Sequence, residues 1–238
     1  MKIALIGYGK MGQAIERLAQ DAGHDIALII NIDNIADLTA AHLRRADVAI
    51  EFTQPQSAPD NIRACLDAGV PVVSGTTGWL AQLPAIQAYC ERQGGAMLHA
   101  TNFSMGVNIL FALNRYLANM MQYQPQYDMQ IEEVHHTQKL DAPSGTAITL
   151  AQDILSAIAR KTNWVNAAAT QPSELSIISK RIDPAPGTHT ITYHSNVDTI
   201  TICHEAHTRD GFAQGTLIAA EWIVGKKGVF TMQDVLGF

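Results

Sequence analysis

Few of the residues that mark specialised protein classes are present in this chain. It has only three cysteines in 238 residues, Cys65, Cys90 and Cys203, and no Cys-x-x-Cys spacing. That supports neither a disulfide framework nor a cysteine zinc site, and it fits reduced thiols in the cytoplasm. Charged residues make up 16% and aromatic ones 6%. Low charge beside 47% hydrophobic residues excludes a disordered chain. There is no basic run, and Lys+Arg 16 against Asp+Glu 22 leaves a net charge of −6. A nucleic-acid footprint is therefore not expected. Apolar runs stay far short of the roughly 20 residues that a membrane helix needs, and the N-terminus lacks a signal-peptide pattern. The expectation is a cytoplasmic protein with no membrane and no nucleic-acid partner.

What is there is strongly patterned. Apolar strand-like runs at 2–7, 25–30, 47–52, 70–74 and 96–100 alternate with helical spacing at 11–22, 57–68 and 80–92. Such alternation predicts βαβ units and a doubly wound parallel sheet of Rossmann type. After Phe103 the pattern changes. A long helix should start at Ser104, a strand should cover 127–134, and Ser144 should cap another helix. Strand patterns at 175–182, 189–194 and 197–206 then follow one another without helices, with Pro186 and Gly187 read as a turn. This predicts a second, α+β domain with a mixed or antiparallel sheet. The expected division is 1–106 with 209–238 for dinucleotide binding, and 107–208 for substrate binding and oligomerisation.

Gly7-Tyr8-Gly9-Lys10-Met11-Gly12 is Gly-x-Gly-x-x-Gly between a strand and a helix. Gly7 permits the turn, Gly9 lets backbone approach a pyrophosphate, and Gly12 lets helix and strand pack closely. Asp33, just past the second strand, can accept from ribose hydroxyls, or it can simply cap a turn. Asn34 stands where an arginine would meet a 2′-phosphate, which favours NADH over NADPH. Ligands of open α/β sheets bind beyond the carboxyl ends of strands. Three segments sit there: Phe52 with Thr53-Gln54-Pro55, Gly75-Thr76-Thr77-Gly78, and Ala100-Thr101-Asn102-Phe103.

The segment from Glu132 to Ala147 reads EEVHHTQKLDAPSGTA. A strand delivers His135 and His136, Lys139 follows four residues after the first, and Ser144, Gly145 and Thr146 open a helix. A helix start offers amides to an anion, and Lys139 adds a full charge nearby. Histidine is the side chain most easily poised to give up a proton near neutral pH. The competing reading is an ordinary strand–loop–helix with a serine cap. Cys203-His204-Glu205-Ala206-His207 is one residue short of His-Glu-x-x-His, and no metal is expected.

This segment resembles the signature of the 4-hydroxy-tetrahydrodipicolinate (dihydrodipicolinate) reductase family, His-His-x-x-Lys-x-Asp-Ala-Pro-Ser-Gly-Thr-Ala, at every fixed position. The glycine motif, Gly-Thr-Thr-Gly, Asn-Phe-Ser-x-Gly-Val-Asn and the late His204–Gly215 stretch also match that family in order. The resemblance implies an NAD(P)H-dependent oxidoreductase of lysine and diaminopimelate synthesis acting on a small cyclic dicarboxylate. By the same analogy His135 donates the proton, Lys139 assists on the substrate, and His136, Gly145 and Thr146 hold a carboxylate. Arg209 matches a substrate contact, and a homotetramer built through the second domain is implied. Lys10 replaces a common arginine, Asn34 another, and the chain is short around 31–47. Two other readings are a dinucleotide-sensing regulator without catalysis, and another Rossmann dehydrogenase such as an aspartate dehydrogenase.

Overall fold

Strands β1 (Lys2–Ile6), β2 (Asp25–Ile30), β3 (Val48–Glu51), β4 (Val72–Ser74) and β5 (Ala96–His99) alternate with helices α1 (Lys10–Asp21), α2 (Ala40–Leu43), α3 (Ala58–Asp67) and α4 (Leu83–Gln93). Then come α5 (Met105–Met121), β6 (Asp128–His135), α6 (Gly145–Ala157), β7 (Asn163–Val165), β8 (Glu174–Arg181), β9 (Gly187–His194) and β10 (Thr199–Ala206). The chain closes with α7 (Asp210–Ile223), β11 (Gly228–Phe230) and α8 (Met232–Leu236). This computed structural model describes residues 1–208 and 210–238. It divides into two compact units, Met1–Ser104 with Asp210–Phe238, and Met105–Arg209.

The first unit carries a six-stranded sheet in the order β11-β5-β4-β3-β1-β2, parallel throughout. All of β3 and four of five positions in β1 are buried. Helices on both faces of a parallel sheet account for that, and for the near-continuous apolar composition. Ile6, Ile30, Ile62, Val72, Ile86 and Met97 belong to one core between sheet and helices. The helix expected over 80–92 is instead a 3₁₀ turn, Leu80–Gln82, followed by α4. Pro84 explains the break, because it sits in the first turn of α4, where its missing N–H costs nothing.

The second unit carries the order β10-β9-β6-β8-β7. Pairing is antiparallel for β10–β9 and β9–β6, but β8 runs parallel to both β6 and β7. Parallel neighbours need a crossover, and α6 supplies it between β6 and β8. Along β6, Met129, Ile131, Glu133 and His135 are buried, so one face of the strand points inward. Its first half meets Leu150, Ile154, Ile177 and Ile191 in an apolar core. Its last half is polar, and the candidate site begins there. The turn expected at Pro186–Gly187 lies earlier, at Asp183–Pro184, and Gly187 opens β9. No helix among the described residues is long and apolar enough to cross a membrane.

Candidate active site

In the first unit the glycine turn is fixed by close approach. A Cβ on Gly7 would lie 1.9 Å from the Phe52 carbonyl oxygen, and one on Gly12 would lie 2.3 Å from that of Gly7. Gly7 also has φ +97°, which favours glycine. Gly9 differs: a Cβ there would meet nothing within 4 Å. Packing does not require this glycine, but a ligand approaching the backbone would. Gly9 precedes α1 without a side-chain cap, and the first turn holds no acidic residue. A cleft of about 340 Å³ runs beside it, lined by Gly9, Lys10, Met11 and Gly12 on one side and by Phe52, Gly75, Thr76 and Thr77 on the other. These residues fit a dinucleotide whose pyrophosphate rests on the helix start.

Beneath the cleft lies Glu51, fully buried. Its Oε1 accepts from the Thr53 N–H (3.1 Å) and the Thr76 hydroxyl (2.9 Å), and its Oε2 from the Ser74 hydroxyl (2.6 Å). The carboxylate ties the loop ends after β3 and β4 together. At Gly75 a Cβ would fall 2.1 Å from the Phe52 ring, so a larger residue there would have to displace that ring.

The other cofactor candidates are spread more widely. The Tyr8 hydroxyl donates to Glu16 on α1. Asp33 is exposed, and its carboxylate takes no hydrogen bond among the described residues. Asn34 is folded inward: its Oδ1 accepts from the Asn31 N–H (2.7 Å) and its Nδ2 donates to the Ile29 carbonyl (2.9 Å). Ala100, Thr101 and Asn102 follow β5 and do not line the cleft, while the Phe103 ring lies 5.9 Å from that of Phe52. If Gly9 serves a ligand and not the fold, Gly9→Val should leave thermal stability near wild type. It should weaken dinucleotide binding by about tenfold or more, about 1.4 kcal/mol, as read by nucleotide fluorescence titration. A large drop in stability with unchanged affinity would reverse the assignment.

In the second unit His135 ends β6, mostly buried, and Ser144 caps α6, its hydroxyl accepting from the Ala147 N–H (3.2 Å). His136 follows β6 directly and is half-buried. Lys139 is held by Asp141, with Nζ 2.8 Å from each carboxylate oxygen. Gly145 and Thr146 begin α6. Arg209 lies outside the described residues.

Three groups that sequence reasoning had not placed in the site complete this cluster. Glu133, fully buried, accepts from the Ser144 N–H (3.1 Å) and from Arg181 Nη2 (3.1 Å) through Oε1. Its Oε2 is 3.1 Å from His135 Nδ1 and 3.9 Å from His189 Nε2. His189, read from sequence as a surface or core histidine, is buried with Nε2 3.1 Å from the Ser144 hydroxyl. Strand register brings them together, with Glu133 opposite His189 and His135 opposite Arg181. The available signal was the two-residue spacing from Glu133 to His135, which puts both on one face.

Burial pushes Glu133 upward, but its contacts with His135, Ser144 and Arg181 outweigh that and hold it well below the usual carboxylate range. Burial, and then the neighbouring His135, push His189 down to about 4. Unfolded histidine titrates near about 6.5, so between the two values the unfolded chain binds more protons. Stability should therefore fall as pH drops from about 6.5 to about 4, by up to about 3 kcal/mol from His189. Loss from Glu133 follows at still lower pH. Urea midpoints across this range should be flatter for His189→Gln; parallel curves would show that His189 is not responsible.

Glu133, His135 and His189 place donor atoms within 4.8 Å of one another. A tetrahedral ion with bonds of about 2.1 Å would need them at roughly 3.4 Å. Arg181 already supplies the positive charge beside Glu133. The cluster therefore fits acid–base work better than cation binding.

Comparison with known proteins covers both units. Residues 1–103 match the family described as "Dihydrodipicolinate reductase, N-terminus", and residues 106–236 match "Dihydrodipicolinate reductase, C-terminus". The chain is 46% identical over 236 residues to a 4-hydroxy-tetrahydrodipicolinate reductase of Christiangramia forsetii, covering 99% of this chain and 98% of the relative. It is 35% identical over 230 residues to one of Neisseria gonorrhoeae, covering 93% and 84%. A dipicolinate-bound dihydrodipicolinate reductase from Paenisporosarcina sp. TG-14 shares the fold, with TM-score 0.79 and 24% identity over 97% of each chain.

Proposed function

The chain belongs to the dihydrodipicolinate reductase family, and from that membership we propose that His135 is its proton donor and Lys139 the cation that meets its substrate. It is an NAD(P)H-dependent oxidoreductase that reduces 4-hydroxy-tetrahydrodipicolinate to tetrahydrodipicolinate in lysine and diaminopimelate synthesis. The observation that carries the assignment of roles is the convergence of His135, the Lys139 loop and the Ser144 helix start in one unit.

The nucleotide, when bound, supplies the hydride; the protein's share is orientation and electrostatics. Gly7, Gly9 and Gly12 would hold its pyrophosphate. Tyr8, Lys10, Met11, Phe52, Gly75, Thr76, Thr77 and residues 100–103 would hold its remainder, with Asp33 on the ribose. An anionic Asp33 beside an inward-folded Asn34 favours NADH over the extra phosphate of NADPH. The substrate is a dicarboxylate. His136, Ser144, Gly145 and Thr146 grip one acid group at the start of α6, and Arg209 is proposed as a further contact. Lys139 exchanges its Asp141 partner for the substrate and favours negative charge developing on the ring. His135 then releases a proton to the ring.

Exposed apolar residues Ile109, Leu113, Tyr116 and Met120 recur along α5 at helical spacing, at 44%, 48%, 68% and 46% exposure. Such a stripe on a folded unit supports a homo-oligomer through the second unit, read as a homotetramer, in the cytoplasm. Light scattering on a sizing column tests the assembly. The function is tested by following reduced-nicotinamide absorbance with freshly generated substrate, NADH and NADPH side by side. Turnover with both and a higher kcat/KM for NADH is expected; no substrate-dependent oxidation with either nucleotide would refute it.

A further inference from the structure

Glu133 has no part in the reaction as described so far, yet it is the most thoroughly enclosed charged group in the cluster. Its Oε1 is occupied by Arg181 and the Ser144 N–H. Its Oε2 stands 3.1 Å from His135 Nδ1, at ion-pair distance but short of an aligned hydrogen bond, and neither atom has a hydrogen-bond partner elsewhere. On the far side of the imidazole, Gly187 opens β9. A Cβ at that position would lie 3.1 Å from His135 Nε2 and 3.3 Å from Cδ2. Any larger residue would press on the ring at its outer nitrogen. The His189 ring meets that of His135 edge-on, with centroids 5.1 Å apart and planes at 72°. The imidazole is thus bounded by a carboxylate on one nitrogen, by an absent side chain at the other, and by a second ring across its face.

We propose that Glu133 is a positioning residue that turns His135 so that Nδ1–H faces the carboxylate and Nε2 is the atom that delivers the proton. The proposal rests on the reading of His135 as the acid. In the step, the Nε2–H bond breaks, its electron pair stays on the imidazole, and the proton bonds to the substrate atom that receives the π electron pair displaced when the hydride adds. The ring ends neutral with its Nδ1–H still toward Glu133, so that tautomer needs no rearrangement before the next proton arrives at Nε2. A fixed carboxylate facing Nδ1 holds the ring's plane throughout. The same space carries Arg181 from β8, His189 from β9, His204 from β10, and Lys139 and Asp141 from the loop after β6. Of these, His189 is kept neutral near pH 7. Arg181 opposes a charged ring, and Glu133 is the carboxylate nearest to it.

The test uses Glu133→Gln in the whole enzyme, with Glu133→Asp as the conservative variant. The amide keeps the shape and can still accept from Arg181, but it no longer favours a charged imidazole. At neutral pH kcat should fall about ten- to hundredfold, part of what a general acid supplies. The limb on which kcat falls as pH rises should move to lower pH, with KM and dinucleotide Kd little changed. Glu133→Asp should recover part of the loss. Ring ¹⁵N signals of His135 in the unmodified enzyme should show Nδ1 protonated from about pH 6 to pH 9. Finding Nδ1 bare and Nε2–H in the neutral ring would overturn the proposal even if neither variant folds. A kcat that is scaled down with both the pH profile and the His135 ring signals unmoved would overturn it too. Ring signals that shift in Glu133→Gln while the pH profile stays put would sink His135 as the acid and leave the Glu133–His135 coupling standing.

Discussion

His135→Ala should lower kcat by about 10²–10⁴-fold, or roughly 3–5 kcal/mol of barrier, with dinucleotide Kd close to wild type. The imidazole closes the polar end of β6, in a different unit from the glycine turn of the nucleotide cleft. Its removal leaves that cleft's lining intact, so binding and chemistry should separate cleanly in stopped-flow and titration data. Substrate KM should change less than kcat, since the acid group is assigned to the α6 start and Lys139. Unchanged turnover would remove His135 from the proton's path. A parallel fall in kcat and nucleotide affinity would mean that the substitution damaged the fold. The remaining rate in the variant then measures what Lys139 and the helix start contribute without a positioned acid.

The second large effect is on folding. Arg181→Met should destabilise the protein by about 3–5 kcal/mol, because it strands a fully buried carboxylate without its cation. Arg181 also donates to the carbonyls of Lys139 (3.3 Å) and Asp141 (2.6 Å), so the loop after β6 loses its anchor as well. Much of the loss should return in the double variant Arg181→Met with Glu133→Gln, since no unpaired charge then remains buried. Urea denaturation of the two single variants and the double completes the cycle. Additive losses would show that the two side chains stabilise the unit independently.

The parts of this protein that were legible in sequence are those decided by neighbours in the chain. The turn at Gly7 to Gly12 is one, because Gly12 is dictated by the Gly7 carbonyl within the same motif. Ser144 is another, since a serine before an apolar helical run caps the helix it precedes. Glu133, Arg181 and His189 were not legible as a group. They are joined by the register of β6 against β8 and β9, and nothing local announces that β8 lies parallel beside β6. The same holds for β7 and β11, three residues each, too short to carry a period. Gly187 shows the other failure. A Pro-Gly pair reads as a turn, whereas this glycine is placed by the ring of a residue 52 positions earlier (187 − 135).

Ser144 has one further consequence. Its N–H is committed to Glu133, and its hydroxyl to both the α6 backbone and His189. Under the roles proposed above, recognition of the acid group and supply of the proton would share a hinge-pin, and neither could be redesigned alone. A laboratory campaign to retarget this enzyme to a substrate with one carboxylate would meet epistasis at once. Changes at residue 144 should have effects that depend on which residue occupies 133.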